Sequence, residues 1–227
     1  MKEFISLETA AGMIKDGSTL MIGGFLGIGN PHRLVEAMLN TGVKDLTIIS
    51  DDSPPTGFGL SKLIDERRVA RMITSHVGMN ANVAKQVYEG TLTVDLIPQG
   101  SLAEMVRAGG SGLGGIITPT GVDTIVEESP FCHGRITIDE RDYLIMKPLH
   151  ADIALISAHT VDRSGNVWLC GTTRNFNEIM PYSADIVICE ADHVVEVGEI
   201  EPENVMVPGI LVDYIIDCSG DERRFLP

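Results

Sequence analysis

Six short apolar runs recur along the chain, and they limit how it can fold more than any other feature. They lie at residues 19–22, 46–49, 69–73, 94–97, 153–156 and 186–189. Runs of this length that are apolar at nearly every position are typical of strands buried on both faces, as in parallel sheets. The sequence therefore predicts a sheet with covering layers on its two sides.

Helix-like segments separate several of these runs. Candidate helices fall at residues 6–15, 31–39, 83–89 and 102–108. The second has Asn30 as a candidate N-cap, Pro31 at the first helical position and Gly42 beyond its end. Because strands alternate with helices, we predict crossover units in a single α/β domain over residues 1–227, built on an open, mostly parallel sheet with helices on both faces.

One segment departs from this alternation. Residues 135–138 and 143–146 are strand-like and flank the polar stretch 139–142. Two such arms joined by a short polar turn predict an antiparallel β-hairpin inserted near 135–146.

The chain is strongly acidic, with 32 Asp and Glu against 17 Lys and Arg and a net charge of −15. Nucleic acids and anionic membrane surfaces bind clustered Lys and Arg, so we predict neither as a partner. The N-terminus lacks the apolar core of a signal peptide, and the uncharged stretch 17–31 is too short to span a bilayer. The four cysteines form no CxxC pair, which together with these features predicts a reducing, cytoplasmic location.

Two glycine-rich segments, 23–31 and 109–115, are candidate ligand-binding loops, because glycine allows close approach to the backbone. Neither is a known phosphate loop. Gly29 is followed by Asn30 rather than by the Lys of a Walker motif, and both segments lack the last glycine of a dinucleotide fingerprint. His76 follows the 69–73 run and could face a pocket, although an ordinary loop position is the simpler interpretation.

Several blocks of sequence, in order, are similar to one known family. They are residues 16–25 with 29–31, the PQGSLAE segment 98–104, the RAGGSG segment 107–112 with TPTG at 118–121, DRSGN at 162–166 and RNFN at 174–177. Together they resemble the A (alpha) subunit of family I CoA-transferases over most of the chain. Thr173 departs from the Ala that usually precedes the last block.

This resemblance implies a reaction in which coenzyme A moves from an acyl-CoA to a short-chain carboxylic acid, such as acetate, acetoacetate or butyrate. A glutamate attacks the thioester, and the reaction passes through a glutamyl-CoA intermediate without a metal or redox cofactor. In the family that glutamate lies on the B (beta) subunit in a Glu-Asn-Gly or Glu-x-Gly motif. This chain has no Glu-Asn-Gly. Glu196-Val197-Gly198 matches the looser pattern, but its surroundings are unlike the B-subunit site, so we interpret Glu196 as a strand-end acid near the surface and Glu104 as a structural acid. The nucleophile is therefore expected on a partner B subunit.

The resemblance also assigns roles to residues of this chain. Gln99 matches the glutamine whose amide stabilises the oxyanion, and a turn glutamine is the alternative. The backbone of Gly23, Gly24 and Phe25 is expected to line the acyl pocket, although Phe25 could equally belong to the core. The substrate-binding candidates on the segment closing over that pocket are Gly27, Gly29 and Asn30.

Two other functions fit the same fold class. A sugar-phosphate isomerase or deaminase would need a basic phosphate loop, and neither glycine segment holds Lys or Arg. A small-molecule sensor domain of a regulator usually accompanies a basic DNA-binding segment, which the chain lacks. Both remain alternatives to the transferase.

Overall fold

The computed structural model describes residues 1–221. The strands are β1 (Glu3–Phe4), β2 (Thr19–Ile22), β3 (Leu46–Ile49), β4 (Val69–Thr74), β5 (Thr93–Leu96), β6 (Ile116–Thr118), β7 (Cys132–Ile138), β8 (Arg141–Met146), β9 (Ala151–Asp162), β10 (Val167–Trp168), β11 (Ala184–Val195) and β12 (Tyr214–Asp217). The α-helices are α1 (Leu7–Met13), α2 (His32–Thr41), α3 (Ser61–Asp65), α4 (Ala81–Tyr88) and α5 (Gln99–Gly110).

The main sheet confirms the predicted mostly parallel arrangement. Its strands follow the order β1-β12-β11-β9-β2-β3-β4-β5, and each neighbouring pair in this order is parallel. β10 pairs with β9 in the antiparallel direction. All six apolar runs lie in strands, except that Ile97 follows the end of β5, but β9 and β11 are much longer than predicted. Their pairing continues from Ala151 opposite Ala184 to Asp162 opposite Val195, so polar residues beyond the apolar runs remain in the ladder.

Both faces of the sheet are covered, because alternate side chains of one strand enter different cores. Met21 of β2 packs in one cluster with residues of α5 and β8, whereas Leu20 and Ile22 pack in another with residues of α1 to α4. This alternation follows from the two-residue period of a strand. The predicted helices on both faces are confirmed.

The predicted hairpin near 135–146 is also present, as β7 and β8. Its turn residues Asp139 and Glu140 both have positive φ, 47° and 61°, as in the turns that suit the twist of a two-residue hairpin. The prediction missed β6, which pairs with β8 to make a separate three-stranded antiparallel sheet. β6 has only three residues, too few for a visible alternation.

Two helix predictions need correction. Pro31, not Asn30, occupies the N-cap of α2, because the Asn30 side chain bonds elsewhere. α5 extends to Gly110, so Gly109 and Gly110 of the second glycine segment are helical. A Cβ at Gly109 would meet the Leu149 carbonyl, and one at Gly110 would meet Tyr182. Both glycines therefore permit close packing of the helix end.

Within residues 1–221, no helix combines the length and the apolar character needed to cross a membrane.

Candidate active site

A cavity of about 420 Å³ opens at the carboxyl edge of the main sheet. Its lining residues are Phe25, Leu26, Asp52, Ser75, His76, Met79 and Gln99. They come from the segments that follow β2, β3, β4 and β5. Open parallel sheets bind ligands at this edge, which makes the cavity the candidate active site.

Gln99, the first residue of α5, is held by a carboxylate. Its Nε2 lies 2.9 and 2.8 Å from the two carboxylate oxygens of Asp51. The Ser75 hydroxyl donates to the same carboxylate at 3.0 Å and to the Asp51 backbone carbonyl at 2.6 Å. Burial raises the pKa of Asp51, and the hydrogen bonds from Gln99 and Ser75 oppose that rise.

This geometry leaves part of the Gln99 amide available. The two oxygens of Asp51 subtend only about 45° at Nε2, whereas the two N–H bonds of a primary amide diverge by about 120°. One N–H therefore points between the carboxylate oxygens. The other N–H has no acceptor among residues 1–221, and because Gln99 lines the cavity, a bound group could accept it.

Asp52 is fixed by the loop that follows β2. Both of its carboxylate oxygens accept the backbone N–H of Leu26, at 3.1 and 2.9 Å. Burial raises the pKa of Asp52 to about 6, and the charge of Asp51 raises it further. The hydrogen bond from the Leu26 N–H and the charge of His76 both lower this pKa. A bridge between the backbones of Asp52 and His76 brings these two residues to the same side of the cavity.

Two buried asparagines shape the first glycine segment. The Asn30 amide donates to the Gly23 carbonyl at 2.6 Å and its oxygen accepts the N–H of Leu60 at 2.8 Å. The Asn177 amide donates to the Gly29 carbonyl at 2.9 Å and its oxygen accepts the N–H of Ser157 in β9 at 3.1 Å. Asn177 thus ties the loop that carries Phe25 and Leu26 to the sheet at one end, and Asn30 ties the other end to Leu60.

The structure separates the predicted site residues into two groups. Gln99 and Phe25 line the cavity, and Phe25 is 43% exposed, so it is not a core residue. The remaining predicted residues do not line it. Cβ atoms at Gly23, Gly24, Gly27 and Gly29 would meet Asn177, Asn30, Phe58 and Asn177, respectively, and the Asn30 side chain is buried. For these five residues, substrate binding stays a prediction, and the contacts here show a role in shaping the loop.

Sequence reasoning missed Asp51, Asp52 and Ser75. A signal was present, because both acids come directly after the apolar run that forms β3, where its side chains reach the binding edge. The interpretation of His76 as an ordinary loop residue was wrong, since it lines the cavity.

Glu104 and Glu196, the two glutamates considered as structural acids, do not line the cavity. Glu104 is exposed and pairs with Arg107 at 3.2 Å, and Glu196 is exposed and pairs with Arg163 at 2.8 Å.

Comparison with known proteins identifies the family. A sequence model described as coenzyme A transferase matches residues 4–217. The chain belongs to the coenzyme A transferase family. It is 44% identical to the acetate CoA-transferase subunit alpha of Escherichia coli (strain K12) over 214 residues, which cover 94% of this chain and 96% of that protein. The acetoacetyl-CoA:acetate/butyrate CoA transferase alpha subunit of Clostridium acetobutylicum is 42% identical, with 94% and 97% covered.

The fold of this coenzyme A transferase chain agrees with solved structures. An acyl-CoA transferase apoenzyme from Escherichia coli O157:H7 superposes with a TM-score of 0.86 at 22% identity. The match covers 100% of this chain but only 48% of that longer chain. The predictions of the fold, of the family and of a transferase subunit of the A type are therefore confirmed.

Proposed function

We propose that this chain is the A subunit of an acyl-CoA:carboxylate CoA-transferase that acts on short acids such as acetate, acetoacetate or butyrate. A partner B subunit supplies the nucleophilic glutamate. The observation that carries the proposal is the Gln99 amide, held by the Asp51 carboxylate at 2.9 and 2.8 Å and lining a cavity at the carboxyl edge of the sheet. The near-complete similarity to alpha subunits that are named for such reactions supports it.

The proposed reaction conserves the energy of the thioester. The partner's glutamate carboxylate attacks the acyl carbonyl and expels the CoA thiolate, which gives an acyl–glutamyl anhydride. The thiolate then attacks the glutamyl carbonyl, the acyl group leaves as a free acid, and a glutamyl-CoA thioester remains. A second acid takes the CoA by the reverse steps. No cofactor beyond the CoA thioester is needed.

Gln99 acts where negative charge develops. Each attack converts a carbonyl oxygen into an oxyanion, and a positioned neutral donor stabilises this oxyanion more than the ground-state carbonyl. The Gln99 amide suits this role because Asp51 fixes its orientation through the other N–H. The apolar side chains of Phe25, Leu26 and Met79 would hold a short acyl chain in the same cavity.

The two acids beside the cavity are poorly suited to be the nucleophile. Asp51 is engaged by Gln99 and Ser75, and Asp52 by the Leu26 N–H. The net charge of −15 also disfavours binding of the CoA phosphates by this chain alone. Both features support a division of the site, with the glutamate and most phosphate contacts on the B subunit. We propose that this two-subunit enzyme is cytoplasmic.

The test is CoA transfer from acetyl-CoA to acetoacetate or butyrate, measured for the chain alone and for the complex that it forms with its B subunit. We expect activity only in the complex. Gln99→Ala in the complex should lower kcat by about 10²–10³-fold, the usual effect of losing an oxyanion donor. Glu104→Gln is the matched control, because it lies on the same helix and forms only an exposed ion pair.

Full activity of the isolated chain would refute the divided site and direct attention to Glu104 and Glu196. An unchanged kcat in Gln99→Ala would leave a purely structural A subunit. Inactivity of the complex towards a panel of short acids would favour the sugar-phosphate or sensor alternatives.

A further inference from the structure

We propose that the cavity selects acyl groups by charge: Asp52 excludes acids that carry a second carboxylate, and the cavity accepts acids whose far end is neutral. This inference rests on the proposed function and deepens it, since it concerns the acyl group held in the same site. It names a specificity-determining residue and a substrate class, the neutral-ended monocarboxylic acids.

The charges around the cavity are unbalanced. Among the described residues, those lining it include no Lys or Arg, and His76 is the single basic side chain. Asp52 lies on the wall, and the Asp51 carboxylate lies directly behind Gln99. A second carboxylate entering this space would meet the Asp52 carboxylate, with the Asp51 carboxylate one hydrogen bond further away, and no Lys or Arg among the described lining residues.

The polar side chains of the wall are also largely engaged. The Ser75 hydroxyl donates to Asp51, and one N–H of Gln99 does the same. The remaining N–H of Gln99 is needed at the reacting carbonyl. Removing a carboxylate from water without donors or a cation is strongly unfavourable, so the far end of a dicarboxylic acyl group would lose its hydration without replacement.

Asp52 is well placed to impose this selection. It is 2% exposed, and both of its oxygens accept the Leu26 N–H, which opposes a movement of the carboxylate away from an incoming anion. The rest of the wall that a short acyl chain would contact is apolar, namely Phe25, Leu26 and Met79. A methyl or amide end fits this surface without a charge penalty.

The experiment compares two acceptor acids in the complex with the B subunit, with acetyl-CoA as donor. Succinate and its monoamide, succinamate, have the same number of heavy atoms and differ at the far end mainly in charge. We expect kcat/KM for succinamate to exceed that for succinate by about 100-fold, as for like charges in a partly dehydrated site. In Asp52→Asn, which keeps an oxygen for the Leu26 N–H, this ratio should fall about tenfold.

Asp45→Asn is the matched control. Asp45 is exposed and precedes β3 at the amino end of the strand whose carboxyl end leads to Asp52. Its φ of 58° suits asparagine as well as aspartate. Asp45→Asn removes one negative charge, as Asp52→Asn does, but it should leave the ratio of kcat/KM for succinamate to that for succinate unchanged.

A wild-type ratio near one, or an equal ratio in wild type and Asp52→Asn, would overturn the inference. A complex that transfers CoA to none of the acids, acetoacetate and butyrate included, would instead contradict the proposed function. If Asp52→Asn does not assemble, the role of Asp52 is tested in the wild-type complex by comparing 3-sulfopropionate with succinamate as the pH changes. The sulfonate of 3-sulfopropionate stays ionised over this range.

The titratable groups that face Asp52 are Asp51 and His76. As pH falls through about 6, Asp52 takes up a proton and repulsion of the sulfonate weakens. The kcat/KM for 3-sulfopropionate relative to succinamate should therefore rise. A ratio that does not change across this range would refute the role of Asp52.

Discussion

Asn177 joins the first glycine segment to the main sheet, and its removal should weaken both stability and activity. Its side chain is completely buried. The oxygen accepts the N–H of Ser157 at 3.1 Å and the amide donates to the Gly29 carbonyl at 2.9 Å. A Cβ at Gly23 would collide with the same side chain, so Asn177 also fills the space that this glycine leaves.

These contacts set the decrease in the free energy of unfolding that Asn177→Ala should cause. Truncation leaves two backbone groups, the Ser157 N–H and the Gly29 carbonyl, without these partners inside the protein. Each fully buried group left unpaired costs about 1–3 kcal/mol. Because both hydrogen bonds are only partly buried, we expect the free energy of unfolding to fall by about 2–4 kcal/mol, in the lower part of the range for two such groups. For a chain of this length, that corresponds to a fall in Tm of about 4–16 °C.

The assay is thermal unfolding followed by circular dichroism, with CoA transfer measured well below the new Tm. Transfer should also decrease, because the loop that carries Phe25 and Leu26 loses its attachment to β9. Asn204→Ala is the control, since Asn204 is exposed in the 202–204 turn. A Tm within 1–2 °C of wild type, about the shift expected for a surface change, would refute the reasoning.

Two further predictions concern the acids of the cavity. Asp51→Ala should lower kcat by about 10- to 100-fold with less effect on KM, because Gln99 loses a charged hydrogen-bond partner. Asp51→Asn should lower kcat less. Steady-state kinetics of the complex measure both effects. The folded-state pKa of Asp52 is about 6, above its ordinary value, so its contribution to stability falls as pH rises towards 6 and is lost above it. Asp52→Asn should therefore raise Tm more at about pH 7.5 than at about pH 4.5 in parallel unfolding scans.

Six strands of the main sheet, β2 to β5, β9 and β11, were predictable, because a strand buried on both faces needs apolar residues at nearly every position. Thr19–Ile22 and Leu46–Ile49 have the predicted bounds. The extension of β9 and β11 was not predictable, because it depends on pairing between two strands rather than on either sequence. The start of α5 at Gln99 was missed for a similar reason: the polar first turn faces the cavity and lacks the apolar spacing of the buried turns.

The site was predictable only where a residue type stands out by itself. Gln99 stands between a proline and a glycine at the end of an apolar run, and the resemblance assigned its role. The aspartate pair was overlooked because acids after a strand are common in surface turns. Only the tertiary structure shows that Asp51 and Asp52 are buried, and that one holds Gln99 while the other holds Leu26.

The distribution of charge connects the cavity with the need for a partner. The chain has a net charge of −15 and two carboxylates beside its cavity. Both features disfavour binding of the negatively charged phosphates of CoA. It is, however, suited to keep a second negative group out of a small acyl site. If a B subunit supplies both the nucleophile and the cations, the A subunit is left to position the oxyanion donor and to choose the acyl group. These two tasks fall on neighbouring side chains, because Asp51 orients Gln99 and Asp52 faces the acyl space. Substitutions at 51 should then change kcat, whereas substitutions at 52 should change the preference between acids.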